Sequence, residues 1–518
     1  MSENPINNKR IAKNTVYLYF RMILVLVVSL YTSRVVLSEM GVVDYGVYNV
    51  VAGVIVMFTV INSSMATSTQ RFLTFELGKG DFERLQRIFS ASLNIHIVIG
   101  LVVLFLAETI GLWFVNVKLV IPEERMFAAN IAYQCTILSF MLNITQVPYN
   151  ASLISHEEMN VYAYMGILEA LSKLGIAFVL IIYGGDKLIL FSILMLVIHA
   201  CLLFIYRAYC IHKNKECCFC LFWDNQLYRQ LTSFAGWNLF GSIAWMCRGQ
   251  GLNILLNLFY GPTLNAAKGI ADKVSHSVIG FIRNFNTAMN PQITKSYAVG
   301  DIVAMEDLCY RGSKFAFLLL FIISLPAMVN VDFILSVWLV EVPKYTSIFV
   351  ILVMADSLLD VLLGTTQFIT ALQATGNIKY YQILVGIIIM LVIPIGYASL
   401  YFGGSPESLF YVMIAVSLVS GLARILFCKY QIGFSMRKLC IKVWIPASGA
   451  VLLATPLPLM LKMSSLSFTE GWIGFFIISL LCVILVMISS WVVAFSKSER
   501  ASVKAIIQKK LKRNGQSL

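Results

Sequence analysis

The sequence predicts an all-α integral membrane protein of fourteen transmembrane helices, and three observations carry that prediction. Of the 518 residues, 59% are hydrophobic and 13% charged, where a soluble domain holds about 45–50% and about 25%. The apolar residues gather into runs of about 20, the length that crosses a bilayer as a helix. Lys and Arg concentrate in alternate connections between those runs, as the positive-inside rule requires of a multi-pass chain. Fourteen crossings take roughly 280 residues, so no sizeable domain outside the membrane fits.

Taken in order, apolar runs punctuated by Gly, Pro and charge place six spans near residues 15–37, 45–66, 88–109, 127–150, 162–183 and 187–207. Six more follow near 231–258, 265–290, 312–335, 345–372, 380–401 and 407–427, and two near 441–461 and 471–495. The chain thus divides into a six-helix bundle (1–207), a polar linker (208–230), a second six-helix bundle (231–430), and two extra helices with a basic tail (431–518). The stretch around Gly41, between spans one and two, aligns with that around Gly261, between spans seven and eight, at an offset of 220 residues. Six is an even number of crossings, so matched halves would be parallel, pseudo-symmetric repeats about the membrane normal, which suits alternating access.

Connections on the amino-terminal side hold 25 Lys and Arg against 5 on the other, which predicts that both termini are cytoplasmic. That asymmetry absorbs most of the net charge of +13, so nucleic acid is not an expected partner, and the basic tail reads as a contact with anionic membrane lipids. Residues 1–13 are polar and lead straight into the first span, so no cleavable signal is expected. The eleven Cys are scattered without a disulfide framework. The cluster Cys210, His212, Cys217, Cys218 and Cys220 lacks paired zinc spacing, and no metal site is expected.

Nine cations remain inside spans: Arg21, Arg34, Lys173, Arg248, Lys268, Lys273, Arg283, Lys314 and Arg424. Each costs about 2.5–3.5 kcal/mol on insertion scales and therefore faces the interior, a wet cavity or an interface. The acids at comparable depth are fewer, chiefly Glu169, Asp272, Asp332, Asp356 and Asp360, so an anionic guest is indicated. On span eight, Lys268, Asp272, His276, Arg283, Thr287 and Asn290 fall within a stripe of about 100°. They form a polar wall for an aqueous cavity, or else an internal network in which Asp272 satisfies Lys268 or His276.

The candidate substrate-binding cations are Arg21, Arg34, Arg248, Lys268, Lys273 and Arg283, with Asp272, His276, Thr287 and Asn290 lining the cavity. Arg21 lies roughly 10 Å into span one. Arg34, near the outer interface, can equally snorkel to water. Arg248 stands in Arg248-Gly249-Gln250-Gly251, where two glycines weaken the helix. Glu169 and Lys173 are spaced to satisfy each other, and Lys314 and Arg424 lie near span ends, where they snorkel. Asp356 and Asp360, one turn apart on span ten with Gln367 on nearly the same stripe, are candidates for ion coupling. Repulsion and desolvation favour one proton on the pair, or a shared Na⁺; the alternative is a pair facing a water-filled vestibule. The chain has no P-loop, no Gly-x-Ser-x-Gly and no His-Glu-x-x-His, so it is not expected to be an enzyme, and no cofactor is expected beyond H⁺ or Na⁺.

The fourteen spans, the two six-span halves, Arg21 and the opening stretch resemble the polysaccharide flippases of the multidrug/oligosaccharidyl-lipid/polysaccharide (MOP, MATE-like) exporter superfamily. The most specific segment is Ser33-Arg34-Val35-Val36-Leu37 followed by Met40-Gly41-Val42-Val43-Asp44-Tyr45-Gly46-Val47-Tyr48, which looks like the family's Gly-x-x-Asp/Glu-Tyr-Gly-x-Tyr signature. Gln70-Arg71-Phe72 and Ala371-Leu372-Gln373-Ala374-Thr375-Gly376 also resemble family segments. The resemblance implies a lipid-linked oligosaccharide flippase of a bacterial cytoplasmic (inner) membrane. It would move undecaprenyl-diphosphate-linked glycan to the outer leaflet for O-antigen (lipopolysaccharide), capsule or exopolysaccharide assembly, beside polysaccharide polymerase partners. By similarity to lipid II flippases, spans thirteen and fourteen would form a groove for the lipid tail. Arg suits a diphosphate through its bidentate fork. Two rivals stay open: a cation-coupled multidrug antiporter of the same superfamily, which would want a carboxylate-dominated pocket, and a membrane-embedded glycan polymerase or glycosyltransferase, which would want acid/base groups and larger outer loops.

Overall fold

The computed structural model describes residues 8–56, 58–117, 119, 121–220, 222–339, 342–464, 471–497 and 499–501. Lys118 and the basic tail beyond 501, both part of the orientation argument, lie outside the described residues. Within the described residues the chain is helical throughout, with no strand. Ten helices are long and apolar enough to cross a membrane, or eleven with the bent pair Thr346–Leu362 and Thr365–Thr375, which turns by 43°. The count falls short of fourteen because the expected spans 231–258 and 265–290 lie on helices that form but are more polar, while the expected span 45–66 is divided between a helix that ends at Val56 and another that starts at Thr59. A helix that buries one face and wets the other needs apolar residues on only the first.

Two compact units make up the chain. The first comprises Met1–Ile243, Thr287–Asp301 and Gln373–Gln382. It contains α1 (Asn8–Val56), α2 (Thr59–Lys79), α3 (Phe82–Leu106), which runs on through a π-turn into α4 (Leu112–Val117), then α5 (Met126–Ser155), α6 (Met159–Ile182), α7 (Lys187–Lys213) and the start of α8 (Asn225–Tyr260). Helix starts follow side-chain caps: Asp81 accepts from the Arg84 N–H at α3, and Asp186 from Leu188 and Ile189 at α7. The core holds Val36, Val51, Tyr133, Ile144, Ala177 and Leu188. At one end Arg125 donates to Asp44 at 2.7 Å and to Asp186 at 2.8 Å, beside a Lys187–Glu39 pair at 2.8 Å. Asp44 of the signature segment therefore joins α1 to the starts of α5 and α7. Burial raises the Asp186 carboxyl, but hydrogen bonds from Arg125 and the α7 N–H groups outweigh it and hold the group below its ordinary range.

The second unit comprises Ala244–Asn286, Ile302–Leu372 and Ile383–Leu518. Besides the end of α8 and most of α9 (Pro262–Ala298), it contains α10 (Ile302–Val329), α11 (Val331–Trp338), α12 (Thr346–Leu362), α13 (Thr365–Thr375), α14 (Lys379–Met390), α15 (Val392–Tyr401), α16 (Ser408–Ile432), α17 (Met436–Leu439), α18 (Ile445–Ala454), α19 (Pro456–Met463) and α20 (Gly471–Ser489). Four of these cross the unit boundary in sequence, since 225–243, 287–298, 373–375 and 379–382 belong to the first unit. Ala447, Ala450 and Ala454 of α18 meet Ile478, Cys482 and Val486 of α20 and Phe317 and Phe321 of α10. Small residues let these backbones approach, the usual means of packing helices in lipid.

Gly41 breaks α1 at φ +78°, and Gly261, its aligned partner, separates α8 from α9 at φ +77°. Both sit in the left-handed region that only glycine enters without strain.

Candidate functional site

Helix α9 is the main source of candidate residues, and its two faces differ. It buries Leu264, Ala267, Ala271, Val278 and Ile282 in the core of the second unit. It exposes Thr263, Ala266, Gly269, Lys273, His276, Ser277 and Arg283, and among the described residues of α9 no large apolar side chain is exposed. Helix α1 does the opposite, exposing Val16, Phe20, Ile23, Leu26 and Val27, as a lipid-facing helix must. The exposed face of α9 suits water and a negatively charged guest, because charge turned to hydrocarbon would be costly. Lys268 is 3% exposed and pairs with Asp272 at 2.6 Å, so it lies on the buried margin, with the wet face nearer Lys273. Thr287 and Asn290 are half-buried and belong to the first unit.

Arg248 and Asp356, candidates for different roles, are brought together. The guanidinium donates to Asp356 Oδ2 at 2.6 Å, and Ser417 donates to Oδ1 at 2.6 Å. Arg248 also lies over the Trp245 ring at 4.8 Å, and its Nη1 has no hydrogen-bond partner among the described residues. Asp360 accepts from Thr365, whose hydroxyl accepts from fully buried Arg424 at 2.6 Å. Arg424 was expected to snorkel, and Lys314 likewise; instead Arg424 is 1% exposed, and Lys314 pairs with Glu499 at 2.7 Å. Each has an acceptor within the bundle, although Arg424 Nε and Nη2 have none among the described residues. Lys173 meets Glu169 at 2.6 Å, as their spacing predicts.

In the first unit Arg21 lies flat against α6, 4.4 Å from the Tyr162 ring. A Cβ at Gly166 would fall 2.1 Å from Arg21 Nε, so this glycine makes the cradle for the guanidinium. Arg34 is exposed on the same side of α1 as Val27 and Tyr31, a setting for snorkelling.

Two charged hubs lie outside the expected site residues. Glu157, in the α5–α6 turn at φ +62°, has a 1% exposed side chain that accepts from Lys295 at 2.7 Å, Gln292 at 2.6 Å and Arg10 at 3.1 Å. Arg71 donates to the carbonyls of Gln373 and Ala374 at 3.0 and 2.6 Å, so the two segments of the resemblance after spans two and ten meet. Burial lowers the Arg71 guanidinium to about 10, still charged at neutral pH. Asp44 with Arg125 and Asp186, all in short connections on one side of the expected topology, could have been paired from the sequence. The partners of Glu157 are 135 or more residues away, and no local signal marks them.

No family model and no curated protein matches the chain. Solved structures do. A multidrug resistance MATE family transporter of the MOP superfamily in an outward-facing conformation matches with a TM-score of 0.70 at 12% identity, covering 83% of this chain and 96% of the other. A MATE in complex with MaD3S gives 0.69 at 13%, covering 83% and 96%. A MOP superfamily transporter from Pyrococcus furiosus, described as having a binding pocket of reverse polarity that suggests a different function, gives 0.65 at 13%, covering 82% and 96%. The chain has a MATE-like fold.

Proposed function

We propose that the chain is a flippase that carries undecaprenyl-diphosphate-linked oligosaccharide from the inner to the outer leaflet of a bacterial cytoplasmic membrane by alternating access. The observation that carries this reading is the exposed face of α9, where Lys273, His276 and Arg283 stand without a large apolar neighbour on the surface. That face supplies cations, and its carboxylate, the one-third exposed Asp272, is paired with Lys268, which favours a diphosphate over a cationic drug. Within the first unit, Arg21, held by Gly166 and Tyr162, is a pre-positioned guanidinium in its own right. Lys268 and Arg248, each already facing a carboxylate, act in the same reading as switchable cations. Protonation of Asp356, or Na⁺ at Asp356 and Asp360, would release Arg248 and give the cycle direction, since an ion shifts a conformational equilibrium only by its differential affinity for the two states.

The test is mass spectrometry of lipids that co-purify with the wild type, Lys273→Ala and Arg283→Ala. The wild type should retain a polyprenyl diphosphate species and each variant about tenfold less, the loss of one charge-assisted contact. If none is retained by any form, and the chain instead protects cells from cationic dyes, the antiporter reading replaces this one.

A further inference from the structure

The first unit holds a cavity of about 1030 Å³ that the site above does not use. Its walls are Ile61 and Met65 of α2, Ile95 and Val98 of α3, and Ala235 and Leu239 of α8, and its mouth carries Trp223, Tyr228 and Arg229. The apolar interior is continuous with a lipid-facing surface, because Val98 begins an exposed row on α3 that continues through Leu101, Val102 and Phe105. Trp223 stacks on Tyr228 with ring centroids 4.7 Å apart, and Asn94 donates to the Tyr228 hydroxyl at 2.8 Å. Amphipathic rings of this kind settle at the headgroup level of a membrane. The neighbouring acid, Asp224, is engaged by the Gln226 and Leu227 N–H groups, while Arg229 is exposed.

We infer that this cavity seats a glycerophospholipid whose headgroup carries one negative phosphodiester, with the phosphate at Arg229 and acyl chain between α2, α3 and α8. A volume of this order matches a lipid chain-sized ligand pocket, its side opening admits a lipid from the bilayer, and one guanidinium matches one charge rather than a diphosphate. The bound lipid lies against the start of α8. The inference stands independently of the flippase reading.

Gly236 lines the cavity, and a Cβ there would meet nothing within 4 Å, so Gly236→Phe fills the space without displacing the fold. Native mass spectrometry of the full chain in mild detergent, titrated with phosphatidylglycerol and with phosphatidylethanolamine, tests the site. The wild type should bind one phosphatidylglycerol with about fivefold preference, the effect of one basic residue on an anionic lipid. Gly236→Phe should lose that binding by about tenfold or more at an unchanged thermal midpoint, and Arg229→Gln should keep the lipid but lose the preference. Equal binding by Gly236→Phe and the wild type would overturn the inference. So would displacement of phosphatidylglycerol by one equivalent of undecaprenyl phosphate, which would give the cavity to a polyprenyl tail.

Discussion

Arg248 and Asp356 show what a charge inside an apolar bundle requires. At 4% and 8% exposure, neither can be relieved by water, so removing one partner leaves an uncompensated ion and costs about 3–5 kcal/mol, whereas replacing both by apolar residues of similar size is close to neutral. Asp356→Asn should therefore lower the thermal midpoint in detergent sharply, while Arg248→Met with Asp356→Leu should restore it. If the pair also couples transport, the restored double variant should lose its dependence on an ion gradient in a flipping assay. A double variant as unstable as the single would show that the pair is not the partnership described. The sequence displayed both residues and their oddity, but not that they meet, because 108 residues separate them.

Among the elements, the two helix breaks are the most legible in sequence. Gly41 and Gly261 were aligned by pattern alone, and both adopt a positive φ. A Cβ at either would meet nothing within 4 Å, so substitution is opposed by backbone strain and not by packing, at about 1–3 kcal/mol. Gly41→Ala and Gly261→Ala should each lower stability by that order, measured by thermal unfolding. A loss confined to one of them would separate the two positions. Helices α8 and α9 mark where composition misleads. Their polar residues lower the average that identifies a span, yet in α9 the apolar residues still fall on one buried face, which is a property of arrangement and not of content.

For the whole molecule, the exposed surface is rich in Val, Leu, Ile and Phe on α1, α3 and α20, as a multi-pass membrane protein requires. The imbalance of basic residues makes a directional prediction. In a variant retaining only Cys218 and Cys220, which are exposed in the connection before α8, a membrane-impermeant maleimide should label inverted vesicles and spare intact cells; labelling of intact cells would reverse the orientation. Sequence alone determined that the chain is helical and membrane-bound, where most helices run, and which cations are anomalous, because apolar length and charge placement are local properties that the bilayer enforces residue by residue. Only the tertiary structure decided which anomalous charges neutralise each other, that Arg71 caps the end of α13, that Gly166 makes room for Arg21, and that the exposed face of α9 is centred near Lys273. Those outcomes depend on which helices become neighbours, and ion pairs form between groups that packing brings within about 4 Å, however far apart they stand along the chain.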